Sequence, residues 1–138
     1  MSYATKQDMI DRFGEEDVLG YTDRANPPTG VIDDDVLSKA LEAATSEVNS
    51  RALIGAPVAT VTEQIVNLTC VIARYHLYDP CPDRVRKDYE DAVAFLRMVS
   101  LGQAILSGVT GSTPQAEGNT PKFHAGKRLF TRDTMKGF

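Results

Sequence analysis

The chain has 138 residues, of which 42% are hydrophobic, so its length and composition fit one globular domain with an ordinary apolar core. Fifteen basic residues against nineteen acidic ones give a net charge of −4, and this balance disfavours nonspecific nucleic-acid binding. Two cysteines do not make a disulfide scaffold, no N-terminal signal segment precedes them, and no apolar run approaches the roughly twenty residues of a transmembrane helix. We therefore expect synthesis in the cytoplasm and no membrane insertion.

The first fourteen residues predict a short amphipathic helix. Thr5 followed by Asp8 has the pattern of a capping box, and Gly14 is suited to end the helix. The apolar stripe of this helix consists of Met9, Ile10 and Phe13.

A second brief helix and a long loop are predicted next. Glu15 and Glu16 suit a first helical turn, because acidic groups oppose the positive end of the helix dipole. We expect this helix to end at Gly20 or Tyr21. Residues 21–32 then form a loop, since they contain the helix-breaking residues Asn26, Pro27, Pro28 and Gly30. The loop residues expected to pack against the core are Val31 and Ile32.

The third predicted helix begins after the aspartates at 33–35 and runs to about Arg51. Its apolar stripe is Leu37, Ala40, Leu41, Ala44 and Val48. Together with Asp23 and Asn26, the aspartates also suggest a calcium site, but the ligand alternation of an EF-hand loop is absent. Helix capping is the preferred interpretation.

The central element is predicted to be a helix between Thr60 and Tyr78. Thr60 and Glu63 have capping-box spacing, so we expect the helix to begin there. Apolar residues cover more than one of its faces, which is typical of a helix surrounded by its neighbours. These residues are Val61, Ile65, Val66, Leu68, Cys70, Ile72, Ala73, Tyr75 and Leu77.

A proline-rich turn at residues 79–83 leads to a fourth long helix, which we expect to pack antiparallel to the central one and to end near Gly102. Its apolar stripe is Val85, Tyr89, Ala92, Leu96 and Val99.

The exposed face of that helix begins with three cations, Arg84, Arg86 and Lys87. The spacing predicts three i,i+4 ion pairs: Arg84 with Asp88, Arg86 with Glu90, and Lys87 with Asp91. A solvated face is the simple interpretation. The alternative is a binding surface for an acidic partner, because cations are unfavourable at the positive end of a helix dipole.

Catalytic and metal-binding patterns are weak. Cys70, His76 and Cys81 do not have a recognised zinc spacing, and a buried thiol with a partly buried imidazole explains the first two better. His124 has no partner fixed by the sequence, and no phosphate-binding loop or nucleophile elbow is present. We predict no catalytic residue, no metal and no cofactor.

The composition changes at Ser107, where glycine, proline, serine and threonine become frequent. Residues 107–122 are therefore predicted to be a mobile linker. The residues after it include candidate docking anchors, although Leu129 and Phe130 folding back on their own domain is an open alternative. The candidate partner-binding residues of this segment are Phe123, Arg128, Leu129, Phe130, Arg132, Met135, Lys136 and Phe138.

Short segments along nearly the whole chain match one known family. They are Tyr3-Ala4-Thr5, Asp8-Met9-Ile10, Arg12-Phe13-Gly14, Thr22-Asp23-Arg24, Ile72-Ala73-Arg74-Tyr75, Leu77-Tyr78, Tyr89-Glu90-Asp91-Ala92-Val93 and the ending Phe130-Thr131-Arg132-Asp133-Thr134-Met135-Lys136-Gly137-Phe138. The chain thereby resembles the gp36-like family of Mu-like phages and prophages. Asn26-Pro27-Pro28 departs from the more acidic turn of relatives, which argues against a metal carried over by analogy.

The resemblance implies a head-to-tail connector, or adaptor: a helical subunit that assembles as a ring beneath the portal and receives the tail. We therefore expect an all-α domain of four to five helices at residues 1–106 and a flexible C-terminal arm at 107–138. The implied partners are the portal and tail-completion proteins, in the neck of the virion, with DNA passing through the channel without specific binding. The rival hypothesis is a small helical regulator that acts as a monomer or dimer in the cytoplasm, and a minor enzyme is a third.

Overall fold

A computed structural model describes residues 1–52, 58 and 60–108 of the chain. These residues form five α-helices and no β-strand, as predicted for an all-α domain. The helices are α1 (Lys6–Phe13), α2 (Glu15–Thr22), α3 (Asp34–Arg51), α4 (Glu63–Leu77) and α5 (Asp83–Ser100). None of the helices in these residues has the length and apolar content needed to cross a bilayer.

Local capping fixes the start and the end of α1. The Thr5 backbone N–H donates to Asp8 Oδ2 at 2.7 Å, and the Asp8 N–H donates to Thr5 Oγ1 at 3.3 Å, so the predicted capping box is confirmed. Hydrogen bonds from the Thr5 side chain and backbone lower the pKa of Asp8. At the other end, Gly14 has a φ of 88°, a conformation that glycine adopts without strain.

The second helix is longer than predicted. It includes Gly20 and ends at Thr22, because the Thr22 hydroxyl donates back to Val18 O at 2.8 Å and the Asp23 N–H donates to Leu19 O at 2.9 Å. Within the following loop, Ile32 is buried as expected, whereas Val31 is 66% exposed.

The loop aspartates are occupied by backbone hydrogen bonds. Asp23 accepts from the Gly30 N–H at 2.7 Å and from the Ala25 N–H at 3.3 Å, which closes the loop on itself. Asp33 caps α3 by accepting from the N–H groups of Asp35 and Val36 at 3.0 and 3.1 Å. Helix capping by Asp33 is therefore confirmed.

The central position of α4 is confirmed, but its predicted start is wrong. Ile65 and Ile72 are fully buried, and α4 packs against α3, α5 and α1. The N-cap is Thr62 rather than Thr60, and the expected capping box is absent. Glu63 instead forms an ion pair with Arg12, while the Thr62 hydroxyl donates to Ser107 O at 2.9 Å.

The helices form two sets around a central pair. α3 and α4 pack together, α5 packs against both of them, and α1 also contacts both. Neither α1 nor α2 packs extensively on α5. Contacts with the central pair are thus made by α1 to both helices, by α2 to α3, and by α5 to both helices.

The predicted apolar stripe of α5 is confirmed, with Tyr89 half-buried and the other four residues buried. Gly102, at a φ of 71°, follows the end of this helix as expected. Just past the predicted boundary at 106, the Ser107 N–H donates to Gln64 Oε1 at 3.2 Å. A side chain on Gly108 would collide with Thr60 O. The arm beyond it lies outside the described residues.

Candidate functional site

The first turn of α5 carries the predicted cations, and we call Arg84, Arg86 and Lys87 the basic turn. All three are exposed. Arg86 contacts Asp83 at 2.7 Å and Glu90 at 4.0 Å. The predicted pairs of Arg84 with Asp88 and of Lys87 with Asp91 are not formed among the described residues, since exposed pairs gain too little energy to hold two long side chains in place. Two cations of the basic turn thus lack an acidic partner in that part of the chain.

A groove of about 490 Å³ lies between α2 and the C-terminal end of α4. We call it the acidic groove, because three of its charged residues are acidic and one is basic. Its lining residues are Glu16, Asp17, Gly20, Tyr21, Arg24, Leu77, Tyr78 and Asp79. The single cation is already engaged: Arg24 donates to Leu77 O at 2.8 Å.

The floor of the acidic groove is aromatic and incompletely hydrogen-bonded. The rings of Tyr21 and Tyr78 are 4.8 Å apart. Next to them, the Arg74 guanidinium lies 4.5 Å from the centre of the Phe13 ring and 4.0 Å from a carboxylate oxygen of Asp17. The Tyr21 hydroxyl and Arg74 Nε are both buried, and neither makes a hydrogen bond to the described residues. Desolvation raises the pKa of Tyr21 to about 12.

A second polar cluster joins the three long helices. Glu47 of α3 accepts from the Tyr89 hydroxyl at 2.7 Å, from Arg51 Nε at 2.6 Å, and lies 2.9 Å from His76 Nε2. Tyr75 stacks on Tyr89 with the ring centres 4.0 Å apart. Burial opposes ionisation of Glu47, but the three hydrogen bonds outweigh it and lower the pKa of this carboxyl. The cluster therefore holds a carboxylate that stabilises the packing of α3, α4 and α5.

Cys70 and His76, whose thiol and imidazole were considered for zinc, lie in different environments. Cys70 is buried as predicted, and desolvation raises its pKa to about 11, so the thiol stays protonated at neutral pH. His76 is more exposed than predicted and faces Glu47. In the described part of the chain, no three histidine, cysteine or acidic side chains are grouped so that they could hold a metal ion.

The exposed side of α5 carries an apolar groove of about 550 Å³ that the sequence analysis missed. Met98 and Leu101, which line it, are 43% and 62% exposed, and Ile105 further along the chain is 55% exposed. Their spacing of three and four residues continues a helical stripe past the helix end at Ser100, and that stripe was the available signal. The residues lining the apolar groove are Arg51, Tyr89, Glu90, Val93, Ala94, Arg97, Met98, Leu101 and Gln103.

The predicted docking residues of the arm are not placed. Phe123, Arg128, Leu129, Phe130, Arg132, Met135, Lys136 and Phe138 lie outside the described residues. Their role therefore stays a prediction.

Comparison with known proteins gives two matches. A family model described as Bacteriophage Mu, Gp36 matches residues 3–125, a range that includes all five helices. The Mu-like prophage FluMu protein gp36 of Haemophilus influenzae strain Rd is 31% identical to this chain over 118 residues. That alignment covers 81% of this chain and 82% of the relative.

Proposed function

Because the chain belongs to the bacteriophage Mu Gp36 family, we propose that it is a structural virion protein that connects head and tail. In this role it assembles as a ring between the portal and the tail, without an enzymatic reaction. The C-terminal segment that contains Phe130 and Phe138 docks on a neighbouring component of the neck.

The observation that carries this proposal is the apolar groove of α5. Met98 and Leu101, which line it, are 43% and 62% exposed, and neighbouring exposed apolar side chains rimmed by polar residues are a feature of interaction sites. Burying apolar surface is the main driving force of stable association. The groove thus supports an assembly role, with the portal or a tail-completion protein as the partner.

The overall charge is compatible with the proposed position in the neck. A net charge of −4 does not favour tight binding of phosphates, and DNA has to move through a connector without being held. This charge balance supports passage of DNA without specific binding.

Electron microscopy of the full chain with and without its portal tests the proposal. We expect a monomer or small oligomer alone and a ring on the portal, because many copies docked on one symmetric surface gain effective concentration. A stable closed dimer that buries the basic turn and does not bind the portal would favour the regulator instead.

Two matched substitutions test the role of the apolar groove. Leu101→Glu should prevent ring formation on the portal, because it places a charge on the apolar surface. Val31→Glu is the control, since Val31 is similarly exposed, at 66% against 62%, but belongs to the loop before α3. Equal loss of rings with both variants would show that this groove is not the docking surface.

A further inference from the structure

We propose that the acidic groove receives the basic turn of a second copy of this chain, and that this contact joins neighbouring subunits of the ring. The inference rests on the proposed connector function, and it names the lateral contact that the ring uses. Arg84 and Lys87 are the residues that enter the groove of the neighbour.

Unpaired charges of opposite sign support this contact. No basic nitrogen of the described residues lies within 4.0 Å of the carboxylates of Glu16 or Asp79, and Arg84 likewise has no described carboxylate within that distance. Asp79 is only five positions from Arg84 in the chain, and yet the two do not pair within one molecule. A second copy supplies the missing partner to both surfaces.

The floor of the acidic groove fits a guanidinium in particular. A planar guanidinium stacks on aromatic rings and donates several hydrogen bonds in a fixed geometry, and Tyr21 and Tyr78 provide the rings. An arginine seated on these rings would also lie beside the exposed carboxylate of Glu16, which lines the same groove.

The two surfaces are different parts of the subunit. The acidic groove is lined by α2 and by the end of α4 with the residues that follow it, while the basic turn is the first turn of α5. A contact between different surfaces of identical subunits is heterologous, and it closes into a ring when the rotation allows. Each subunit then uses its groove toward one neighbour and its basic turn toward the other.

Two charge reversals and their mixture test this contact. Glu16→Arg reverses the groove, and Arg84→Glu reverses the turn; both residues are exposed, so circular dichroism should show unchanged folding. Each variant alone should self-associate about tenfold more weakly than wild type in sedimentation at low salt, because like charges meet.

An equimolar mixture of the two variants should associate again. In the mixture, copies of the two variants alternate, so each groove meets a turn of opposite charge. Lys39→Glu on the exposed face of α3 is the control.

The same proteins on the portal separate the two proposals. Rings formed equally by wild type, both single variants and the control would overturn this lateral contact and leave the connector function standing. A mixture that fails to recover what the single variants lost would also overturn the contact. Failure of wild type to bind the portal would overturn the connector function, and sedimentation would still decide whether the groove and the turn bind each other. If wild type associated neither in sedimentation nor on the portal, the proposed contact between the groove and the turn would be overturned.

Discussion

Glu47 illustrates how one residue connects sequence, packing and pH dependence. In the sequence, Glu47 stands between Ser46 and Val48, on the face of α3 that the pattern predicts to be exposed. Its neighbours in the chain do not indicate a buried role. The structure places three donors from three helices around it. Because these donors stabilise the carboxylate, the pKa of Glu47 in the folded protein lies below its ordinary value of 4.5.

We predict that Glu47→Gln lowers the free energy of unfolding at pH 7 by about 1–3 kcal/mol, the typical contribution of hydrogen bonds to a charged group. A depressed folded-state pKa contributes stability that is present above the unfolded pKa and is lost as the pH falls through the folded pKa. The difference between wild type and variant should therefore shrink below about pH 4.5. Urea unfolding at several pH values measures it, with the exposed Glu42→Gln as control. A difference that does not change with pH would contradict this assignment.

The hydrogen bonds of helix caps were predicted correctly where the two partner residues are close in the chain. The Thr5–Asp8 capping box needs only residues three apart, and both hydrogen bonds are formed. The similar pattern of Thr60 and Glu63 failed because distant residues compete for the same groups. Arg12 binds Glu63, and Ser107 accepts from Thr62, so tertiary contacts set the start of α4. Such contacts cannot be read from spacing alone.

At the scale of elements, apolar periodicity predicted all the long helices, including the end of α3 at Arg51. It also identified which face of α5 is buried. The same rule did not find the exposed apolar residues at and beyond the end of this helix, Met98, Leu101 and Ile105, because the buried stripe already explained the pattern. Paired charges were predicted less well, since the ion pairs of Arg84 and Lys87 depend on side-chain entropy and solvation rather than spacing.

The buried face of α4 gives the sharpest test of the fold. Ile72→Asp should leave the protein unfolded at 25 °C, because an uncompensated carboxylate at a fully buried position costs as much as a small domain's whole stability. Arg86→Ala should shift the melting temperature by only a few degrees, since its ion pairs are exposed. Circular dichroism with thermal melting compares the two. A near-normal melt of Ile72→Asp would show that α4 is not central.

At the scale of the whole molecule, the described helices carry three surfaces with different chemistry. The acidic groove is lined by α2 and the end of α4, whereas the basic turn and most of the apolar groove belong to α5 and the residues after it. The family was predicted correctly because matching segments extend along most of the chain. The grooves were not predicted, because each combines residues that are distant in sequence. Glu16 of α2 and Asp79 of the turn after α4, for example, line the same groove although they are far apart in the sequence.

The C-terminal segment provides the last test, because it separates folding from assembly. Deleting residues 123–138 should leave the thermal melt nearly unchanged, since the helices of residues 6–100 bury their apolar faces against one another. The deletion should nevertheless prevent tail joining, so that infected cells accumulate filled heads and free tails, because the removed segment carries the apolar and basic residues suited to binding a neighbour. Electron microscopy of lysates and a plaque assay measure this outcome.

A matched variant identifies which chemistry of that segment matters. Replacing Phe130 and Phe138 with alanine keeps the length and charge of the chain and removes two aromatic anchors. We expect it to reproduce the joining defect of the deletion, because aromatic side chains dominate the energetics of most protein interfaces. Infectious particles from the deletion would show that the segment is not the joining device. Loss of folding in either variant would instead place Leu129 and Phe130 in the core of the domain.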